Sequence, residues 1–140
     1  MPADGLVDTG ALLALLDRDD GWHDACVAAF ESVRLPLLTT WPVLTELFHL
    51  VGDRRHEVAA AWRLLRSGAI TVAPIDESAL PELDALMAKY HDRPMDFADA
   101  TLVLVARRER LATILTVDHD DFETYRIEGK KKFRLLPARR

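Results

Sequence analysis

The chain has a single cysteine, Cys26, and so no internal disulfide is possible. That excludes a disulfide-stapled secreted scaffold and agrees with a reducing compartment. Cys26 sits in the apolar run Ala25-Cys26-Val27-Ala28-Ala29 with no basic group close in sequence, which reads as a buried, inert thiol. Met1-Pro2-Ala3-Asp4 lacks the basic start and apolar run of a secretory signal. The most apolar stretch, Leu35 to Gly52, is interrupted by Pro36, Pro42 and Glu46 and makes a poor membrane span. No repeat, low-complexity tract or domain linker is visible. The expectation is one cytoplasmic domain covering residues 1–140.

Hydrophobic residues make up 49% of the chain, enough for a core that needs no staples. Net charge is −5, but it is unevenly placed. From Arg126 to Arg140 seven Lys/Arg stand against one Glu, a net +6, so the remainder carries −11. An acidic body with a basic end suits a metal site beside a polyanion contact. Lys130-Lys131-Lys132 reads equally well as a solvated turn.

Short apolar runs alternate with longer helical ones. Strands are expected at Leu6-Val7, Leu35 to Thr39, Ile70 to Ala73, Ala112 to Val117 and Phe133 to Leu136. Helices are expected over Gly10 to Leu16, Asp24 to Val33, Pro42 to Val51, His56 to Arg66, Ser78 to Tyr90 and, after the break at Pro94, Asp96 to Arg110. The inward stripes would be Ala25, Ala28, Ala29 and Val33; Ala59, Trp62 and Leu65; and Leu80, Leu83, Leu86 and Met87. Such alternation implies a mainly parallel sheet covered on both faces.

Five acids occupy informative positions. Asp8 closes the run Leu6-Val7 and Asp118 closes Ile114-Leu115-Thr116-Val117, and ligands in open parallel sheets gather beyond such strand ends. Each also has a bland reading, Asp8 as a helix N-cap and Asp118 as a turn residue. Glu46 is the only formally charged residue between Arg34 and Asp53, and its helix is apolar nearly all round. A helix of that kind is expected to be buried, and a buried carboxylate needs a partner, a proton or a metal. Asp96 and Asp99 lie three apart where a long apolar helix begins, on one face. The helix N-terminus favours negative charge, yet the two acids repel each other, and a divalent cation turns that repulsion into chelation.

Hard oxygen donors without a Cys/His set point to Mg²⁺ or Mn²⁺ rather than zinc. Such sites serve phosphodiester hydrolysis by activating water and neutralising phosphate charge. Lys130 to Lys132, Arg134, Arg107, Arg108, Arg110, Arg54 and Arg55 are the candidate contacts to a polyanion.

These residues resemble the PIN-domain ribonucleases, and in particular the VapC-like toxins of toxin–antitoxin pairs. The resemblance is carried by Val7-Asp8-Thr9-Gly10-Ala11-Leu12, Thr45-Glu46-Leu47, Pro94-Met95-Asp96-Phe97-Ala98-Asp99-Ala100, and Ile114-Leu115-Thr116-Val117-Asp118 followed by Asp121-Phe122. It implies a three-layer α/β/α fold with a mainly parallel central sheet. It also implies a Mg²⁺ or Mn²⁺ site built from Asp8, Glu46, Asp96, Asp99 and Asp118, endonucleolytic RNA cleavage, a homodimer and a cognate antitoxin. Thr9 and Thr116 match polar positions that orient water or carboxylates. Gly10 departs from the family, where a Ser is frequent.

Asp8-Thr9-Gly10 also spells the aspartic-protease triplet, but those proteins are all-β and this chain is rich in helical patterns. A phosphatase with an Asp-x-Asp nucleophile is disfavoured because Gly10 occupies the second acid's place. Two alternatives stay open: an RNA-processing nuclease outside a toxin pair, and a non-catalytic RNA- or protein-binding module with a vestigial acid cluster.

Overall fold

Short runs of branched apolar residues form five strands, β1 (Leu6–Val7), β2 (Leu37–Thr39), β3 (Ile70–Val72), β4 (Thr113–Leu115) and β5 (Arg134–Leu136). The structure, a computed structural model, describes residues 3–93 and 95–139. Pro94, expected to break the chain, lies outside the described residues. The strands make one sheet in the order β3-β2-β1-β4-β5, with every pairing parallel. Leu6 and Val7 point to opposite faces of the central strand, and both are fully buried. Helices therefore cover the sheet on both sides, giving the expected α/β/α layering.

The helices are α1 (Thr9–Leu16), α2 (His23–Ser32), α3 (Trp41–Val51), α4 (Arg55–Arg66), α5 (Leu80–Lys89), α6 (Phe97–Glu109) and α7 (His119–Thr124). Pro42 sits in the first turn of α3, where its missing N–H costs nothing, and Gly52 ends the helix at φ 57°. Helix α6 is buried at Ala98 and from Ala100 through Ala106 and forms the central apolar rod of the core.

Several sequence expectations are corrected. In α2 the buried residues are Cys26 and Ala29, and Ala28 is exposed. In α4 Ala61 turns inward while Ala59 and Trp62 face out. Trp62 instead lies half-exposed on the surface, with the ring of Phe48 5.0 Å away. In α5 Leu83 and Leu86 are buried but Leu80 is exposed. The start of the expected helix at Ser78 is a separate 3-10 turn, Glu77–Ala79, capped by Asp76. Strand β4 ends at Leu115, and Asp118, expected at the strand end, begins an unexpected short helix, α7.

The chain lays down β1, β2 and β3 outward in one direction, then returns to place β4 on the other side of β1. The order reverses at β1 and β4, which opens a crevice beyond their carboxyl ends. No helix among the described residues is long and apolar enough to cross a membrane.

Candidate functional site

The crevice between β1 and β4 holds all five acids. A cavity of about 420 Å³ is lined by Asp8, Glu46, Asp96, Asp99 and Asp118, together with Thr9, Gly10, Val43, Leu50, Ala98, Leu102 and Val117. The chain needs three helix starts to build it. Asp8 caps α1 by accepting from the Ala11 amide at 3.2 Å. Asp96 caps α6 by accepting from the Asp99 amide at 2.7 Å. Asp118 caps α7 by accepting from the Asp121 amide at 3.4 Å. Capping a helix and lining the cavity are thus compatible, because three helix N-termini face it and favour negative charge there.

Glu46 corrects the sequence reading. It is exposed, on a strip with Trp41, Thr45, His49 and Leu50, while Val43, Leu44, Leu47 and Val51 face the core. The helix looked buried all round because Trp41 and Leu50 are apolar, yet they stand 64% and 49% exposed. Glu46 reaches the cavity from the exposed strip, and its charge adds to the field at Asp8. His49, one turn on, is not among the cavity's lining residues.

Thr116 ties two acids together. Its hydroxyl donates to Asp8 Oδ2 at 2.5 Å, and its oxygen accepts the Asp118 amide at 2.9 Å. Thr9 does otherwise: its hydroxyl turns to the Val43 carbonyl, 3.5 Å away. Sequence reasoning missed Tyr125, whose hydroxyl donates to Asp99 Oδ2 at 2.8 Å. No sequence pattern near the acids marks it, since it lies 26 residues from Asp99 and is brought there by α7.

Crowding leaves these carboxyls uncomfortable as anions. Burial pushes Asp8 up from 3.8 to about 7, against the Thr116 and Ala11 hydrogen bonds, with the Asp118 and Glu46 charges adding. Burial and the neighbouring Asp96 push Asp99 up to about 8, with the Tyr125 hydroxyl opposing. Asp118 rises to about 6 through burial and its contact with Asp121. A cavity in which several acids resist ionising together is one that a cation would stabilise.

The donor set fits a hard divalent ion, since among the described residues the polar side chains that line the cavity offer only carboxylate and hydroxyl oxygens. Among the described residues, no three His, Cys, Asp or Glu side chains gather tightly enough to hold an ion on their own. Mg²⁺ does not require such a cage: it keeps several waters and takes one or two carboxylates plus substrate phosphates.

The expected basic contacts are placed elsewhere. Among the described residues none of Lys130 to Lys132, Arg134, Arg107, Arg108, Arg110, Arg54 or Arg55 lines the cavity. Arg107 donates to the Ile127 carbonyl, Arg108 pairs with Glu109 at 3.1 Å, and Arg54 pairs with Asp17 at 3.1 Å. Arg107, Arg108 and Arg110 stand at the far end of α6, about 15–20 Å along the helix from Asp96. The lysines precede β5 and so lie at the amino ends of the parallel strands, away from the crevice. Arg93 pairs with Asp121, three residues beyond Asp118, at 3.2 Å.

The match to known proteins follows this geometry. Residues 5–128 match the PIN domain family. The chain belongs to the PIN-domain family. It is 32% identical over 142 residues to Ribonuclease VapC26 of Mycobacterium tuberculosis (strain ATCC 25618 / H37Rv), covering 94% of this chain and 99% of that one. Its fold is similar to the crystal structure of Mycobacterium tuberculosis VapC20, described as a Sarcin-Ricin loop cleaving toxin. The TM-score there is 0.74 at 24% identity, over 83% of this chain and 91% of that chain. The five acids of this PIN domain lie at the switch point of the sheet.

Proposed function

We propose that this PIN-domain chain is a Mg²⁺- or Mn²⁺-dependent endoribonuclease, the toxin of a toxin–antitoxin pair. The observation that carries the reading is the gathering of Asp8, Glu46, Asp96, Asp99 and Asp118 around one cavity at the β1/β4 crevice. The similarity to a protein named a ribonuclease, over nearly the whole of both chains, supports the same chemistry.

Asp8, Asp96, Asp99 and Asp118, with Glu46 at the open side, would hold the ion. A bound ion supplies an activated water and offsets charge developing on the phosphate. The chain's own residues prepare the site. Thr116 fixes Asp8 Oδ2 and the backbone ahead of Asp118. The amides that open α1, α6 and α7 supply positive partial charge toward the acids. Leu102, Val43 and Val117 add apolar surface to the cavity lining.

The chain would act on RNA in the cytoplasm as a homodimer and be restrained by a protein antitoxin. An exposed apolar surface supports the dimer: Trp41 (64%), Leu80 (55%) and Phe97 (46%) surround one cleft shared by α3, α5 and α6. Patches of that kind mark protein contacts.

The test is cleavage of an RNA oligonucleotide by wild type and Asp99→Asn, with Mn²⁺ or with EDTA. Wild type with Mn²⁺ should cut, and the other three combinations should not. An inert wild type, or an Asp99→Asn variant that cuts equally well, defeats the nuclease reading.

A further inference from the structure

We propose that Tyr125 is a positioning residue of the acid site, holding Asp99 through Oδ2 so that Oδ1 is the oxygen offered to a divalent cation. The inference rests on the metal reading of the site above and deepens it by one residue.

The geometry separates the ring of Tyr125 from its hydroxyl. The ring is fully buried and fixed edge-on by two neighbours, Tyr90 at 5.1 Å and Phe122 at 5.2 Å. Phe122 is in turn edge-on to Phe133 at 5.6 Å. Packing in this cluster is met by phenyl rings, and a Phe at position 125 would fill the same volume. The hydroxyl has a separate employment: it donates to Asp99 Oδ2 at 2.8 Å.

The backbone around Tyr125 is held firmly enough to make that contact directional. Its amide closes α7 on the Asp121 carbonyl at 3.0 Å. The next residue, Arg126, donates its amide to the Tyr90 hydroxyl at 2.9 Å. The Arg126 guanidinium ties down the carbonyls of Glu123, Thr124 and Tyr125 at 2.7, 3.0 and 3.1 Å. A phenol set in so rigid a frame fixes the carboxylate it touches. Outer hydrogen bonds of this kind to metal-ligating carboxylates commonly change metal affinity about 10–100-fold.

Tyr125 also joins the two halves of the site. Asp99 opens α6, and Asp118 opens α7, the helix that ends at Tyr125. The hydrogen bond therefore couples the separation of α6 and α7 to the orientation of one acid.

Isothermal titration with Mn²⁺ alone, on wild type, Tyr125→Phe, Asp99→Asn and the double variant, tests this. The expected result is a Mn²⁺ affinity about tenfold weaker in Tyr125→Phe, with the thermal midpoint in EDTA within a few degrees of wild type. In the Asp99→Asn background the same change should weaken Mn²⁺ binding no further. RNA cleavage by Tyr125→Phe should recover as Mn²⁺ is raised, whereas cleavage by Asp99→Asn should not. Wild-type Mn²⁺ affinity in Tyr125→Phe overturns the proposal and leaves the metal reading intact. An equal loss in both backgrounds also overturns it, because the effect then bypasses Asp99. A wild type that binds no Mn²⁺ overturns the metal reading itself, and this proposal with it.

Discussion

Thr116 donates its hydroxyl to Asp8 Oδ2 at 2.5 Å, and both residues are buried. Through its own oxygen it also receives the amide of Asp118 at 2.9 Å. One side chain thus sets the spacing of two acids, Asp8 just past β1 and Asp118 at the start of α7. Thr116→Val keeps the shape and removes both bonds. Losing a hydrogen bond to a buried charged group costs about 1–3 kcal/mol. Urea denaturation should show a loss in that range, and RNA cleavage should fall at least tenfold. Unchanged values for both would mean that Thr116 is only a core filler.

The raised carboxyls predict an unusual pH response of the metal-free protein. Asp8 ionises near 3.8 when unfolded and near 7 when folded, and Asp99 near 8 when folded. Between those values the folded state binds more protons than the unfolded one. Stability from these groups is therefore full below about pH 4 and lost as pH rises through 7 to 8. In EDTA, the thermal midpoint should fall between pH 5 and pH 9. Asp99→Asn should flatten that fall and raise the midpoint at pH 8. Mn²⁺ should restore the wild type chiefly at the alkaline end. A midpoint in EDTA that rises across this range would contradict the burial of the acids.

Gly10 departs from the family's frequent Ser for a reason visible in the packing. A Cβ built at Gly10 would lie 2.7 Å from Val117 Cγ2. Val117 is branched and half-buried beside the cavity, so it cannot swing freely away. Gly10→Ser should destabilise by about 1–3 kcal/mol, as overpacking does. Adding Val117→Ala should recover most of that loss. Chemical denaturation of the two variants checks the pair, and equal losses in both would show the contact to be unimportant.

The lysine run should be dispensable for the chemistry. Lys130 to Lys132 are exposed and precede β5, at the sheet edge opposite the acids. Changing all three to Ala should leave Mn²⁺ affinity unaltered and cleavage of a short RNA within about twofold. A loss greater than tenfold on a short RNA would place the lysines in the substrate path.

What the sequence made legible follows from how far each signal reaches. Among the described residues, hydrophobic periodicity located every strand and six of seven α-helices, because strand and helix patterns are local. It misplaced the inner stripe of α4, since Trp62 and Ala61 differ by one residue and the larger side chain stays half-exposed beside Phe48. It also overestimated the burial of Glu46, because apolar Trp41 and Leu50 stay exposed. The acids were legible as an ordered set. Their supports were less so: Thr116 stood beside Asp118 and was noticed, but Tyr125 reaches Asp99 only through the tertiary placement of α7. Basic residues were the poorest guide, because charge in a sequence carries no direction, and Arg54, Arg107 and Arg108 bind carbonyls and acids elsewhere.

Asp8, Glu46, Asp96, Asp99 and Asp118 are proposed to serve one metal site. Crystals soaked in Mn²⁺ and measured at the manganese edge test it most directly. An anomalous peak is expected inside the cavity at the β1/β4 crevice, within coordinating distance of Asp8 or Asp99 and absent from crystals of Asp99→Asn. A strong peak elsewhere with none in this cavity, or an identical peak in Asp99→Asn, would contradict it.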